Sequence, residues 1–480
     1  MATKKDLVEA YSFSRRRLVT AFVSGAPGGR EVEPARPGRM IVGGVALAIL
    51  LIAGAAVAGA LTKRQKVDWD DPGLVTDDHG ALYVILDKEA SGGDPVLRPV
   101  INVTSAQLIL GAGEKTQSVP DDVLAPREKG PSIGILDAPP TVPAADKLLN
   151  SGWIACTADG YGIQAEVRPD AEVDRTPDLG FVVKAARTDK RYLIAEAAVP
   201  GHPQRAYSYE MPASNDGLDA DLGVATTDEI VVPDAWLSLF PRGEALTTAG
   251  LGMAGWGTPA GLDGYTAGAR VGDYFLRAGD TFAVTRDGFV RLTPFAAAVL
   301  RNTPAAGGAR PREIRATSTN APFRAAPSIP YADANWPDEP VADSAAPSDK
   351  ICGVLETGED EQPAVRLARF PPGSAMLEQV AAGDRRVTVE AGYGALVRAA
   401  DWDTSSGGIT YLVDDRGRSY SVAGAAEVTN LGYGGVPSVI VPDSWTRLFM
   451  PGPDLSILDA LCPPRATDPG AGTTPGPSCS

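Results

Sequence analysis

Residues Met40 to Thr62 read MIVGGVALAILLIAGAAVAGALT and carry no charged side chain; Arg39 and Lys63 bracket them. A helix rises about 1.5 Å per residue and a bilayer core is roughly 30 Å thick, so about 20 apolar residues cross it. This run is long enough. A secretory leader has a shorter apolar stretch, about 7–15 residues, close to the N-terminus. The run is therefore read as an uncleaved membrane anchor, in preference to a leader or a buried core helix.

Charge sets the orientation. Residues 1–39 hold eight Lys/Arg and four Asp/Glu, a net of +4, with Arg15-Arg16-Arg17 at the centre. The whole chain carries −16, so everything after residue 39 carries −20. A basic flank stays in the cytoplasm, which places the N-terminus inside and the acidic body outside the inner membrane. Neutralising phosphates takes Lys and Arg, so nucleic acid is excluded as a partner. Within the anchor, Gly54 with Ala58 and Ala55 with Gly59 are each four residues apart. Such small-residue faces let two helices approach closely in lipid, which makes them a candidate packing seam and a route to self-association.

The 53 glycines and 41 prolines favour short strands and many turns over a helical bundle. All four cysteines, Cys156, Cys352, Cys462 and Cys479, follow the anchor, and none forms a CxxC pair. A thiolate metal site is therefore not expected, whereas disulfides are. Three pairings exist. Cys156 and Cys352 each adjoin apolar residues (Trp153-Ile154 and Ile351), while Cys462 and Cys479 flank a polar, proline-rich tail. The expected bridge is Cys156–Cys352, leaving Cys462 and Cys479 as the second pair.

The body repeats itself. IVVPDAWLSLFPRG at 230–243 recurs as VIVPDSWTRLFMPG at 439–452. Val232, Pro233, Asp234, Trp236, Leu239 and Phe240 return as Val441, Pro442, Asp443, Trp445, Leu448 and Phe449. The unit reads as a strand, a proline turn, and a short helix capped by the aspartate, with Trp236, Phe240, Trp445 and Phe449 as repeat core. A fainter match links LYVIL…INVTSAQLIL (82–110) to TFAVT…VRLTPFAAAVL (281–300), each a hairpin followed by a Thr-capped helix. Repeats of this kind stack to share a core.

The expected layout is a basic head 1–39, a transmembrane helix 40–62, and repeats at 63–127, 180–246, 247–302 and 409–462. A central domain in two parts, 128–179 and 350–408, carries Cys156 and Cys352. A Pro/Ala-rich linker covers 303–349, and a disordered tail 463–480. The fold class is a single-pass membrane protein with a β-rich α+β body.

The ordered set of features resembles the EccB family of type VII (ESX) secretion membrane components. It comprises the aromatic-Arg head Tyr11–Arg17, one anchor, LYVIL…INVTSAQLILG, IGILDAP (133–139) before Trp153 and Cys156, WPDEP (336–340) before Cys352, and the late YLVDDRGRSYSV hairpin. The resemblance implies a structural subunit supporting protein export across the actinobacterial envelope. It implies partners: an FtsK/SpoIIIE-type motor ATPase, a multi-spanning channel-like subunit and a subtilisin-like protease. It also implies a distorted, propeller-like body with a disulfide between the stretches around Cys156 and Cys352, and a peptidoglycan contact. The family has carried an ATPase label.

The residues offer little chemistry. A P-loop needs GxxxxGK[ST]; the nearest stretch, Gly111-Ala112-Gly113-Glu114-Lys115-Thr116, lacks the glycine before the lysine. Gly130-Pro131-Ser132-Ile133-Gly134 matches GxSxG, but a nucleophile elbow needs a helix after the serine, and prolines 139, 140 and 143 follow. The only histidines, His79 and His202, read as loop residues. Asp70-Asp71, Asp219/Asp221 and Glu359-Asp360-Glu361 are acid clusters of the type that serve glycoside hydrolysis or calcium, read here as solvated surface. No catalytic residue, cofactor or metal is expected. The alternatives are an ATPase and an anchored wall-binding or wall-processing protein.

Overall fold

The computed structural model describes residues 4–24, 69–86, 96–170, 173–176, 178–224, 229–261, 264–304, 308–318, 320–371 and 380–464. The chain forms two units, Met1–Asp68 and Trp69–Ser480. In the first, Lys4–Ser24 is a helix. The uncharged run 40–62, with Gly54, Ala55, Ala58 and Gly59, lies outside the described residues, as do Cys479 and the expected tail from 465 onward. Among the described residues no helix is long and apolar enough to cross a membrane.

Among the described residues the second unit is built on five sheets. In one, Leu179–Ala185, Arg191–Ala197 and Arg205–Glu210 run antiparallel, a helix Asp216–Asp221 follows, and Ile230–Val232 returns parallel to the first strand. A one-turn helix Asp234–Leu237 ends the path. The same path recurs with Ala395–Ala400, Ile409–Val413, Arg418–Val422, helix Ala425–Asn430, Val439–Pro442 and one-turn helix Asp443–Thr446. It recurs with Gly73–Thr76, Leu82–Ile85, Leu97–Pro99, helix Val103–Leu110, Gln117–Ser118 and Asp121–Leu124. In Tyr274–Arg277, Asp280–Val284, Phe289–Arg291 and helix Pro294–Asn302, the returning strand shrinks to a parallel bridge between Tyr274 and Glu313.

The fifth, central sheet joins distant chain: Ala364–Arg369, Ile351–Glu356, Trp153–Thr157, Ile163–Val167 and Arg385–Val389, in that order. Side chains alternate faces along a strand, and here both faces are covered. Trp153, Ala155, Ile351 and Leu355 point into the main core, whereas Ile154, Cys156, Cys352 and Val354 point into a smaller cluster behind. Phe181, Val183 and Ile194 likewise join the main core while Val182, Leu193 and Tyr209 face another. That double coverage explains near-continuous apolar strands in place of apolar–polar alternation.

Several expectations shift. The boundary at 408/409 falls between antiparallel neighbours: Ala399 faces Ile409 and Ala395 faces Val413. Ala395–Ala400 therefore belongs with the last repeat-like sheet, not the central domain. The stretch after 127 runs beside the first sheet, with Leu97 N–H donating to Glu128 O and Ile133 N–H to Pro99 O at 2.9 and 2.8 Å. In the 303–349 segment, Tyr331, Ala334, Trp336 and Val341 enter a core and Asp343–Ser344 pairs with Leu179–Gly180. Thr293 caps its helix as expected, but in the first sheet the cap is Asn102, which accepts from Ser105 N–H at 2.8 Å, and Thr104 instead donates to Pro139 O. Asp234 and Asp443 are first helical residues behind proline N-caps and make no side-chain cap bond; proline pre-sets the entry angle there.

Candidate functional site

The place where chain segments converge is the tryptophan-lined core between three sheets. Pro233 and Pro442 end their strands, and the turn that follows swings Trp236 and Trp445 inward, both fully buried. Trp236 Nε1 donates to Ala155 O at 2.9 Å, tying the 179–232 sheet to the central sheet. Trp445 Nε1 donates to Leu239 O at 3.0 Å, tying the two matching motifs to each other. The rings of Trp236 and Phe240 meet edge-on at 4.9 Å, and those of Trp153 and Phe449 at 5.2 Å. A buried indole needs a partner for its N–H, and all three core tryptophans have one, Trp153 bonding Leu149 O at 2.7 Å.

Behind this core the Cys156–Cys352 disulfide joins residues 196 apart in sequence. The two cysteines are directly opposed on antiparallel neighbours, Cα atoms 4.0 Å apart, and buried.

Two further contacts repeat on either side. Asn430 Nδ2 donates to Leu108 O at 2.7 Å, joining the last sheet's helix to the first sheet's. Asn215 Nδ2 donates to Asn302 O at 2.9 Å, joining the 179–232 sheet's helix to that of the 274–291 sheet. Leu108 of the first sheet's helix enters the core of the last sheet, and the middle two sheets share another core. Gly243 and Gly452 occupy matching places: a Cβ on either would stand 2.2 or 2.3 Å from the ring of Tyr209 or Tyr420. Burial pushes both phenols up, that of Tyr420 to about 12 and that of Tyr209 well above its usual value. Tyr420 also donates to Asp414 Oδ2 at 2.9 Å.

Several of the side chains singled out for chemistry serve structure. Gly111–Thr116 follows the C-terminus of Val103–Leu110 and leads into a strand, with Gly111 N–H donating to Gln107 O. A phosphate loop needs the opposite polarity, a strand feeding a helix N-terminus; the carbonyl end of a helix repels anions. Ser132 is exposed in a segment that runs beside the first sheet with no helix after it. Asp219 is buried and accepts from Arg191 Nη2 at 2.9 Å; burial raises its pKa despite that arginine. It is thus not the solvated acid expected. Asp221 accepts from Arg301 and Asn302. His202 Nδ1 lies 3.0 Å from Gln362 Oε1 and 3.5 Å from Asp403, whose carboxylate is already held by buried Arg205.

His79 has a role the sequence reading missed. Its Nδ1 lies 2.8 Å from Asp121 Oδ2, and with Asp77 the three could hold a metal ion. Their oxygens already have work. Asp77 Oδ1 accepts from His79 and Ala81 N–H at 3.0 and 2.7 Å, and Asp121 Oδ1 from Asp78 N–H at 3.1 Å. Burial pulls the Asp77 carboxyl upward, but the Ala81 and His79 N–H groups, the His79 ring and the Tyr83 hydroxyl together hold it below its ordinary value. The arrangement latches one turn to another. The spacing of His79 and Asp121 in sequence carries no signal for it.

Known proteins give this architecture a context. The family model described as "Type VII secretion system ESX-1, transport TM domain B" (EccB) matches residues 1–465. The chain is 26% identical over 441 residues to a Mycolicibacterium smegmatis protein named ESX-1 secretion system ATPase EccB1, covering 88% of this chain and 87% of that one. It is 25% identical over 470 residues to the Mycobacterium tuberculosis protein named ESX-3 secretion system ATPase EccB3, covering 90% and 84%. Among solved structures, an EccB3 dimer from the ESX-3 core complex superposes with TM-score 0.59 at 22% identity, covering 81% of this chain and all of that one. The periplasmic assembly of an ESX-5 inner membrane complex gives 0.56 at 21%, covering 84% and 99%. With a family model matched from its first residue to 465, and a disulfide-braced, β-rich body of the same fold, this chain belongs to the EccB family of type VII secretion components.

Proposed function

We propose that this chain is a non-catalytic structural subunit of a type VII secretion inner-membrane complex, supporting protein export across the envelope. The family match and the fold shared with ESX-5 and ESX-3 assemblies support the reading. The observation that carries it is the convergence of three sheets on Trp153, Trp236 and Trp445, while His79, His202, Asp219 and Asp221 are engaged in holding turns and elements together. That is the construction of a rigid spacer. The helix polarity at Gly111–Thr116 argues against the ATPase function in the relatives' names.

In this reading residues 40–62 span the inner membrane once, with the head in the cytoplasm and the body outside. The four similar sheets are copies of one repeat flanking a central domain. Their common strand path and the paired motifs at 230–243 and 439–452 support this. The partners are an FtsK/SpoIIIE-type motor ATPase, a multi-spanning channel-like subunit, a subtilisin-like protease and a second copy of this chain, with a peptidoglycan contact by the body. Deleting the gene and restoring it tests the role. Wild type should restore export of the system's substrates into the medium, and so should Lys115→Ala. Normal export without any copy would overturn the proposal, as would loss of export in Lys115→Ala with the protein still folded and abundant.

A further inference from the structure

Between Lys4 and Val19 of the helix Lys4–Ser24, large apolar side chains face water. Leu7, Val8, Tyr11, Leu18 and Val19 are between 56% and 75% exposed. At 3.6 residues per turn these five fall within an arc of about 120°. Lys4 and Arg15 share that arc, and Lys5 lies about 40° past one edge. Asp6 and Glu9, the helix's two acids, point to the opposite half, as does Phe13. An apolar stripe in water gains nothing from its burial potential, so a surface that is both apolar and negatively charged complements these five residues and the lysines and arginine beside them.

We propose that Lys4–Ser24 lies flat on the anionic lipid surface of the bilayer. Leu7, Tyr11 and Leu18 sink among the acyl chains, and Lys4, Lys5 and Arg15 reach up to phosphate headgroups. The inference rests on the reading that 40–62 spans that bilayer. Residues 25–39 then link helix to anchor, and an extended chain of that length reaches about 50 Å, ample for the helix to settle beside its own anchor. Asp6 and Glu9, on the far half, point away from the lipid.

The test uses the full-length chain in nanodiscs of phosphatidylcholine alone or with about one-third phosphatidylglycerol. An environment-sensitive fluorophore sits on Val8→Cys or, as control, on Phe13→Cys. In phosphatidylglycerol discs the Val8 label should shift blue, resist iodide and be quenched by nitroxide lipids, while the Phe13 label stays accessible. Leu18→Asp should abolish the shift, and each of Lys4→Gln and Arg15→Gln should weaken it by roughly fivefold. A Val8 label equally open to iodide in both lipids, in protein that has incorporated, overturns the inference. Protection that appears only when other membrane subunits are added also overturns it, showing a protein-docking helix. Failure of the chain to incorporate at all would instead remove the anchor reading beneath it.

Discussion

The indole Nε1 of Trp445 donates to the backbone carbonyl of Leu239 at 3.0 Å, so one copy of the VPDxWxxLF motif is bonded to the other across a distance of 206 residues in sequence. Trp445→Phe keeps most of the apolar surface but strands a buried carbonyl, a loss of about 1–3 kcal/mol. Trp445→Ala adds a cavity and should lose about 3–5 kcal/mol. Denaturant unfolding of the body measures both; an unchanged midpoint for Trp445→Phe would show that the bond carries no weight.

Gly243 and Gly452 should behave alike. A methyl group on either would overlap a buried tyrosine ring, so Gly243→Ala and Gly452→Ala should each lower stability by about 1–3 kcal/mol. By contrast, Gly435→Ala meets nothing within 4 Å and has no left-handed backbone, and thermal melts should leave it near wild type. If Gly452→Ala melts as wild type does, the ring-on-glycine contact is slack and the pairing with Gly243 is only formal.

The Cys156–Cys352 bridge closes a loop of 196 residues. Chain entropy for a loop that long sets an upper bound on the order of 5 kcal/mol, with typical losses of about 2–5. Cys156→Ser with Cys352→Ser should therefore fold less stably, and protease should cut it first in the central sheet. Equal stability with and without the bridge would show that the buried strands at Trp153–Thr157 and Ile351–Glu356 hold the sheet unaided.

Alkaline pH should loosen the body through its buried phenols. Tyr420 is held at about 12 in the folded chain, chiefly by burial and then by Asp414, against about 10 when unfolded. The folded state then keeps a proton that the unfolded state gives up. Its stabilising effect is complete below pH 10 and disappears as pH rises toward 12. Tyrosinate absorbance should show a late fraction titrating together with unfolding. Tyr420→Phe removes that linkage, and an identical pH–stability curve for it would contradict the assignment.

Much of this design is written locally. Trp236 and Trp445 recur with the same neighbours, and in both copies proline before aspartate ends the strand and opens a short helix. Apolar residues beside Cys156 and Cys352 mark buried strands. What local patterning does not carry is which sheets share a core. That Asn430 bonds the helix of residues 103–110, and Asn215 that of 294–302, depends on long-range packing. Boundaries suffered for the same reason. Ala395–Ala400 reads as apolar strand in either assignment, and only its register against Ile409–Val413 decides. Asp219 looked solvated because acids usually are; its burial depends on Arg191, which is 28 residues away.

The central claim is that the chain serves as one subunit of a larger membrane assembly. The most direct measurement is mild-detergent extraction of the tagged full-length protein, with mass spectrometry of what co-purifies and native sizing of the complex. The account predicts a large particle containing the motor ATPase, the multi-spanning subunit and more than one copy of this chain, weakened by Gly54→Leu with Gly59→Leu. A strictly monomeric protein that brings down none of these subunits would contradict it.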